Sequence, residues 1–107
     1  MEIDTRIRES FARQGMMTTL GARLVAVTPG AVEIEAAITP ETSQQHGFAH
    51  AALAFALGDS AAGYAALTVM PEDREVVTSE MKIHLLAPAR GARLIARGRV
   101  VKPGRRL

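Results

Sequence analysis

One aspartate and two histidines interrupt the long apolar run between Gln44 and Val69. Asp59 lies in the middle of that run, where an unpaired carboxylate would be costly. Such a carboxylate can act as a base towards water or as a nucleophile. A second interpretation is local: the Gly58-Asp59-Ser60 sequence marks a kink, at which the aspartate caps the second half of a helix. Residue chemistry alone leaves both interpretations open.

The two histidines, His46 and His50, are four residues apart, the interval at which two side chains on one helix can hold a metal ion. The helical zinc motif also needs a glutamate beside the first histidine, and Gly47 stands there instead. A third ligand is not evident, because His84 lies on a distant predicted strand. We therefore expect no metal ion and no cofactor. More simply, His50 lies at a helix N-terminus, where free backbone N–H groups favour an anion or a polarised oxygen.

Hydrophobic spacing predicts the elements that precede the apolar run. Apolar residues recur every four positions in residues 2–15, which predicts a short amphipathic helix. Residues 20–38 instead alternate between apolar and polar, which predicts a hairpin turned at Pro29-Gly30. The expected inward-facing residues of this hairpin are Leu20, Ala22, Leu24, Ala26, Val32, Ile34, Ala36 and Ile38.

Two more strands are predicted after the apolar run. Residues 76–86 alternate, and after the turn in "APARGA" residues 94–101 form a strand with several arginines on one side. The order of helix, two strands, long helix and two strands predicts an α+β fold with a long central helix packed on an antiparallel sheet. The "KPGRRL" ending repeats the Pro-Gly turn chemistry, which leaves the last strand without a neighbour, and such edges invite association.

Composition excludes several classes of protein. The 107 residues are 48% hydrophobic and 22% charged, as in a globular domain. The chain has no cysteine and a charged N-terminus, which predicts a reducing compartment, the cytoplasm. The apolar run is nearly long enough to cross a membrane. However, Asp59 at mid-span would cost about 2.5–3.5 kcal/mol and the many alanines offset little of it, so we expect no membrane span.

Basic residues are concentrated after Glu80, the last acidic residue of the chain. A basic region attracts an anionic partner such as nucleic acid, an acidic membrane surface or a phosphorylated small molecule. It is also consistent with a solvated strand face and a charged tail. No aromatic residue lies in this region for a base to stack on, which argues against nucleic acid.

The segment "QQHGFAHAALAFALGDSAAGYAA", a strand similar to "VTSEMKIHLLAPA" and a final "GRRL" occur in this order. From about Leu20 onwards the sequence resembles the hotdog-fold acyl-CoA thioesterases of the phenylacetate-degradation (PaaI-like) type. The resemblance implies one domain over residues 1–107 that hydrolyses the bond between an aromatic or medium-sized acyl group and coenzyme A, without a metal ion. It also implies that one or two further strands complete the sheet, so that the domain as given is short at its C-terminus.

The resemblance assigns roles to individual residues. Asp59 matches the catalytic carboxylate, which activates water or attacks the thioester carbonyl. Ala51 matches the residue whose backbone N–H polarises that carbonyl. Gln44 matches a polar residue near the thioester, and Thr78 matches a strand hydroxyl that orients water. The expected substrate-binding residues are Gly47, Phe48, His50 and Arg90, the arginine through the phosphates of coenzyme A, as Arg93 or Arg97 also could.

Helix geometry adds a constraint on assembly. Ala51 and Asp59 are eight residues apart, which corresponds to about 12 Å along one helix. Both groups must lie about 3 Å from one reacting carbonyl or its water. Two chains related by a twofold axis can satisfy this, and the resemblance implies the same dimeric site. We therefore expect at least a homodimer, and a homotetramer as the larger assembly.

Two other functions remain open at this point. A truncated, catalytically weak hotdog module would bind acyl-CoA or assemble with a partner chain that adds a strand to the open edge. A small basic nucleic-acid-binding protein would retain DNA or RNA with a steep dependence on salt.

Overall fold

The structure is a computed structural model that describes residues 2–71, 76–78 and 80–102. Its elements are α1 (Ile3–Ala12), α2 (Gly15–Thr19), β1 (Arg23–Thr28), β2 (Ala31–Ala37), a 3-10 turn (Pro40–Thr42), α3 (Ala51–Leu67) and β3 (Arg93–Arg99). The three strands form an antiparallel sheet in the order β1-β2-β3, and α3 packs across β2 and β3. The predicted α+β arrangement of a long helix on an antiparallel sheet is confirmed.

The hairpin of β1 and β2 turns at Pro29-Gly30 as predicted, and Gly30 has a φ of 77°. Its predicted inward face is only partly correct. A bulge between Leu24 and Ala26 adds one residue to β1, which reverses the alternation beyond it. Ala26 is therefore exposed, whereas Val27 packs against the core.

The N-terminal helix is shorter than the predicted span of residues 2–15. The helix α1 ends at Ala12, where the backbone N–H of Arg13 donates to Ser10 O at 3.0 Å and tightens the last turn. Gln14 is extended, with a ψ of 104°, and α2 begins after it. The predicted apolar face of α1 is confirmed, because Ile7 is fully buried in the core.

The helix α3 is continuous from Ala51 to Leu67, so the interpretation of Asp59 as a cap at a kink is wrong. Its buried side chains make up half of the described core residues, and Val32, Ile34 and Ala36 of β2 belong to the same core. The α3 residues are Leu53, Leu57, Ala61, Tyr64, Ala65 and Leu67. Gly98 of β3 lies directly beneath the helix, where a Cβ would overlap the backbone of Ala61 and Ala62. No helix in the described part of the chain is long and apolar enough to span a membrane.

The predicted strand over residues 76–86 is not formed by its described residues, 76–78 and 80–86. Alternation determines which way side chains would face, but a strand also needs a neighbouring backbone with which to exchange hydrogen bonds. No described strand pairs with this segment, and β3 pairs with a described strand only on its β2 side. The turn predicted in "KPGRRL" falls largely on residues 103–107, outside the described residues.

Candidate active site

A tight turn over residues 44–48 leads the chain towards α3. The side-chain Oε1 of Gln44 accepts the backbone N–H of His46 at 2.5 Å and of Phe48 at 3.3 Å. Between them Gly47 has a φ of 86°, which favours glycine because a Cβ would be strained there. The turn therefore uses the oxygen of the Gln44 amide and leaves its NH₂ group as a donor.

His50 caps the N-terminus of α3. Its Nδ1 accepts the backbone N–H of Ala52 at 2.9 Å, and its carbonyl accepts that of Leu53 at 2.9 Å. An Nδ1 atom that accepts a hydrogen bond places the proton of the neutral ring on Nε2. The N–H of Ala51 has no acceptor among the described residues. The helix thus presents one open N–H group, which is what an oxyanion donor requires.

His46 lies in the turn before α3, so His46 and His50 are not on one helix as a helical metal motif would require. Within residues 2–71, 76–78 and 80–102, no three histidine, cysteine or carboxylate side chains group closely enough to hold a metal ion.

A cavity of about 680 Å³ lies beside the N-terminus of α3. Residues 85–89 also line it, and the hydrogen bond from Ala49 N to Ala89 O, at 2.8 Å, joins the two lining segments. The cavity contains four of the predicted site residues: Gln44, Phe48, His50 and Ala51. Gly47 shapes the turn but does not line the cavity. The walls of this cavity are mostly apolar, as in sites that bind an organic ligand.

Asp59 is half-buried on α3 and pairs with Thr78, whose Oγ1 donates to Asp59 Oδ1 at 2.5 Å. Val76 and Met81 lie over two glycines of α3 close to this pair, and the room there would admit a Cβ in ordinary contact. A Cβ built on Gly63 would lie 3.6 Å from the Val76 side chain, and one on Gly58 would lie 3.5 Å from Met81. The structure therefore brings together the predicted carboxylate and the predicted hydroxyl.

Asp59 borders a second cavity, of about 220 Å³, with polar groups that the sequence analysis missed. In it the buried Tyr64 hydroxyl accepts the Gln14 side-chain amide at 2.7 Å and lies 3.0 Å from Ser10 Oγ. The two hydroxyl groups have two hydrogens and share one bond, so one hydrogen has no acceptor among the described residues. The remaining residues that line the Asp59 cavity are Ser60, Gly63, Leu67, Val76 and Thr78.

Ser10 and Gln14 are four residues apart, the spacing that places two polar side chains on one helix face, and Tyr64 is the lone tyrosine of the chain. These two features were all that the sequence offered for predicting the group of Ser10, Gln14 and Tyr64. Nothing in the sequence indicated that α1 would pack beside Asp59. Asp59 and Ala51 themselves border different cavities, so one chain does not bring these two predicted catalytic groups to the same place.

The arginines of β3 are engaged on the sheet face that points away from α3. Arg97 Nε donates to Glu33 Oε1 at 2.8 Å, and Arg93 lies 3.8 Å from Glu35. The hydrogen bond from Arg23 lowers the pKa of Glu35 below its ordinary value. Arg90 is exposed and lines neither the Asp59 cavity nor the one at the α3 N-terminus. Two of the three arginines considered for the coenzyme A phosphates thus have carboxylate partners within the chain.

Comparison with known proteins places this geometry in a family. The thioesterase superfamily profile matches residues 46–107. A thioesterase family protein from Silicibacter pomeroyi is 47% identical, with a TM-score of 0.93 over 96% of this chain and 76% of that one. No curated protein matches the chain.

Two more distant structures share the fold. The E. coli PaaI protein, from the phenylacetic acid degradation operon, is 20% identical with a TM-score of 0.85, over 96% of this chain and 73% of that one. A phenylacetic acid degradation-related protein from Ralstonia eutropha is 20% identical with a TM-score of 0.82, over 98% of this chain and 81% of that one. The superfamily match covers more than half of the chain. The chain therefore belongs to the thioesterase superfamily, with a PaaI-like hotdog fold, a family of hydrolases that act on thioester bonds.

Proposed function

We propose that this protein hydrolyses acyl-CoA thioesters, with Asp59 as the base that activates water. The observation that carries the proposal is the Asp59–Thr78 pair at a cavity wall. The Thr78 hydroxyl holds Oδ1, and no described residue donates to Oδ2. Oδ2 can therefore accept a proton from water while the oxygen of Thr78 accepts the other water hydrogen.

The proposed reaction has two steps. In the first, the water oxygen bonds to the thioester carbon as its proton passes to Asp59, and the carbonyl oxygen becomes an oxyanion that accepts the Ala51 N–H. In the second, the carbon–sulfur bond breaks and the sulfur leaves with the proton from Asp59. The products are a carboxylic acid and the free thiol of coenzyme A. The amide NH₂ of Gln44 supplies a further donor near the thioester.

The proposed site needs two chains. Ala51 and Asp59 border different cavities and lie about 12 Å apart along α3, too far to act on one carbonyl. A twofold axis that sets the start of one α3 beside the middle of the other brings them together. We propose a homodimer as the smallest active unit, with pairs of dimers as the larger assembly.

The proposed acyl group is aromatic or of medium size. The phenylacetic acid operon of the PaaI relative supports this, as do the apolar walls around Phe48 at the start of α3. Arg90 is the proposed contact for the coenzyme A phosphates, because it is exposed and has no carboxylate partner among the described residues.

A thiol-release assay with phenylacetyl-CoA and a short aliphatic acyl-CoA tests the proposal. Asp59→Asn keeps the shape of the side chain but removes the base, so we expect turnover to fall by about 10²- to 10⁴-fold. Glu9→Gln makes the same chemical change at an exposed position and serves as the matched control. Circular dichroism and acyl-CoA binding should be retained in both variants.

Near-wild-type turnover of Asp59→Asn would contradict the proposed role of the carboxylate. A folded, dimeric wild-type protein that binds acyl-CoA without hydrolysing it would instead favour the catalytically weak binding module.

A further inference from the structure

The Asp59 cavity owes one of its walls to α1, the N-terminal helix. Ser10 and Gln14, at the end of α1 and in the break that follows it, line the cavity opposite α3. The helix is anchored near this point by Ile7, which is fully buried, and by Phe11, whose ring centre is 6.3 Å from that of Tyr64. The wall is therefore a packed helix end.

Gln14 makes the shortest polar bond between this wall and α3. Its side-chain Nε2 donates to the Tyr64 hydroxyl at 2.7 Å, and only 7% of Tyr64 is exposed, so the bond satisfies a buried oxygen. The backbone of Gln14 is held as well, because its carbonyl accepts the N–H of Thr18 at 3.2 Å in the first turn of α2. The N–H of Gln14 donates to Phe11 O of α1 at 3.0 Å, so Gln14 connects three helices at the edge of the cavity.

We propose that Gln14 is a specificity-determining residue: its bond to Tyr64 holds α1 as the wall of the Asp59 cavity and so limits the size of the acyl group that reaches Asp59. This inference rests on the proposed function. At about 220 Å³ the cavity is small for an organic ligand. Gln14 both fills space at the wall and fixes the position of the wall.

Acyl-CoA binding provides the test. Binding is measured on Asp59→Asn protein, so that substrates are not consumed, over a series from acetyl-CoA to octanoyl-CoA together with phenylacetyl-CoA. Gln14→Ala should open room for on the order of two methylene groups. Because each buried methylene contributes roughly fourfold in affinity, the preference for long over short acyl groups should rise about sixteenfold. Thr19→Ala, an exposed truncation on α2, is the matched control.

Two further variants separate the effect of the Gln14–Tyr64 hydrogen bond from the effect of the volume that the Gln14 side chain fills. Gln14→Met fills a similar volume but cannot donate, and Tyr64→Phe keeps the ring that packs on Phe11 but removes the acceptor. Both should move the preference towards longer acyl groups. Combined, they should move it by less than the sum of the single effects in free energy, because each breaks the same bond. Gln14→Met also decides the question if Gln14→Ala does not fold.

The outcomes of this test and of the hydrolysis assay are distinct. If the acyl preference is unchanged in the Gln14 and Tyr64 variants while hydrolysis still depends on Asp59, the proposed role of Gln14 is contradicted and the proposed function is intact. If the binding preference shifts but the wild-type protein hydrolyses nothing, the proposed role of Gln14 is supported and the proposed function is contradicted. In a hydrolysing protein, Gln14→Ala should lower KM for long acyl groups more than it changes kcat.

Discussion

The two halves of the candidate site are built in different ways. At the start of α3, the polar groups of the site come from consecutive residues, 44–52, as backbone groups and one capping imidazole, and residues 85–89 complete the cavity wall. Around Asp59, side chains arrive from α1, from α3 and from the segment at Thr78, so the chain must fold before they meet. A site made of neighbouring residues can be recognised in a sequence. A site assembled from distant segments requires the structure.

Removing the backbone N–H of Ala51 gives the sharpest test of the half of the site at the start of α3. Ala51→Pro removes the open N–H, yet proline suits the first position of a helix. His50 already has the extended conformation that precedes proline, with a φ of −65° and a ψ of 142°. We expect kcat in the thiol-release assay to fall by about 10²- to 10³-fold, the usual effect of losing one oxyanion donor.

Ala51→Ser serves as the control for this change, since it alters the side chain and keeps the N–H. If Ala51→Pro is folded and dimeric but as active as the wild type, the start of α3 does not supply the oxyanion donor, and the proposed contribution of this half is lost.

A smaller effect is expected in the half of the site around Asp59. Thr78→Ala removes the hydrogen bond to Asp59 Oδ1 and leaves the carboxylate in place, so kcat should fall by about tenfold, the scale of one hydrogen bond to a charged group. Thr78→Ser keeps the hydroxyl and should retain most activity. Equal activity of the alanine and serine variants would mean that the hydroxyl does not orient the base or its water.

The smallest effect is expected away from both halves, on the outer face of the sheet. The Arg23 hydrogen bond lowers the pKa of Glu35 below 4.5, so the folded chain holds this proton less tightly than the unfolded chain does. The stabilisation is therefore present above pH 4.5 and is lost as the pH falls through the lowered pKa of the folded state. Both groups are near the surface, so the contribution is small and screened by salt.

Urea unfolding of the wild type and of Glu35→Gln measures this contribution. The stability difference between them should shrink as the pH falls from about 6 to about 3. Thiol release at neutral pH should be the same in both proteins. A difference in stability that grows on acidification would contradict the assigned pKa direction.

The same contrast explains how far the sequence could be interpreted. Periodicity predicted α1, the hairpin and β3, because each has an apolar face that must be buried, and the length of the apolar run predicted α3. It could not reveal the bulge beside Val25, since one extra residue leaves no mark in the composition of β1. It also predicted a strand over residues 76–86, where alternation is present but the described residues have no neighbouring strand.

The candidate site divides in the same way. A helix N-terminus with free N–H groups near His50 was predicted from the residues, whereas the turn held by the Gln44 side chain was not. The roles of Ala51 and Thr78 were expected only through the family resemblance, and the hydrogen bond between Asp59 and Thr78 was not predicted. The contacts of Tyr64 with α1 depend on how two helices pack, and helical spacing within α1 shows which residues share a face without showing what that face meets.

The contact at Gly98 has a consequence for how accurately the two chains of the proposed dimer must fit. Because the backbone of β3 touches α3 at Ala61, this point acts as the pivot of the helix. Asp59 is close to the pivot and moves little when the helix tilts, whereas Ala51 is ten residues away, or about 15 Å. A tilt of about 4° would displace Ala51 by about 1 Å, a misalignment that can reduce catalysis about 100-fold. A side chain at position 98 would push on Ala61 itself, two residues from Asp59, so it would displace the proposed base directly and the proposed oxyanion donor through the tilt of the helix.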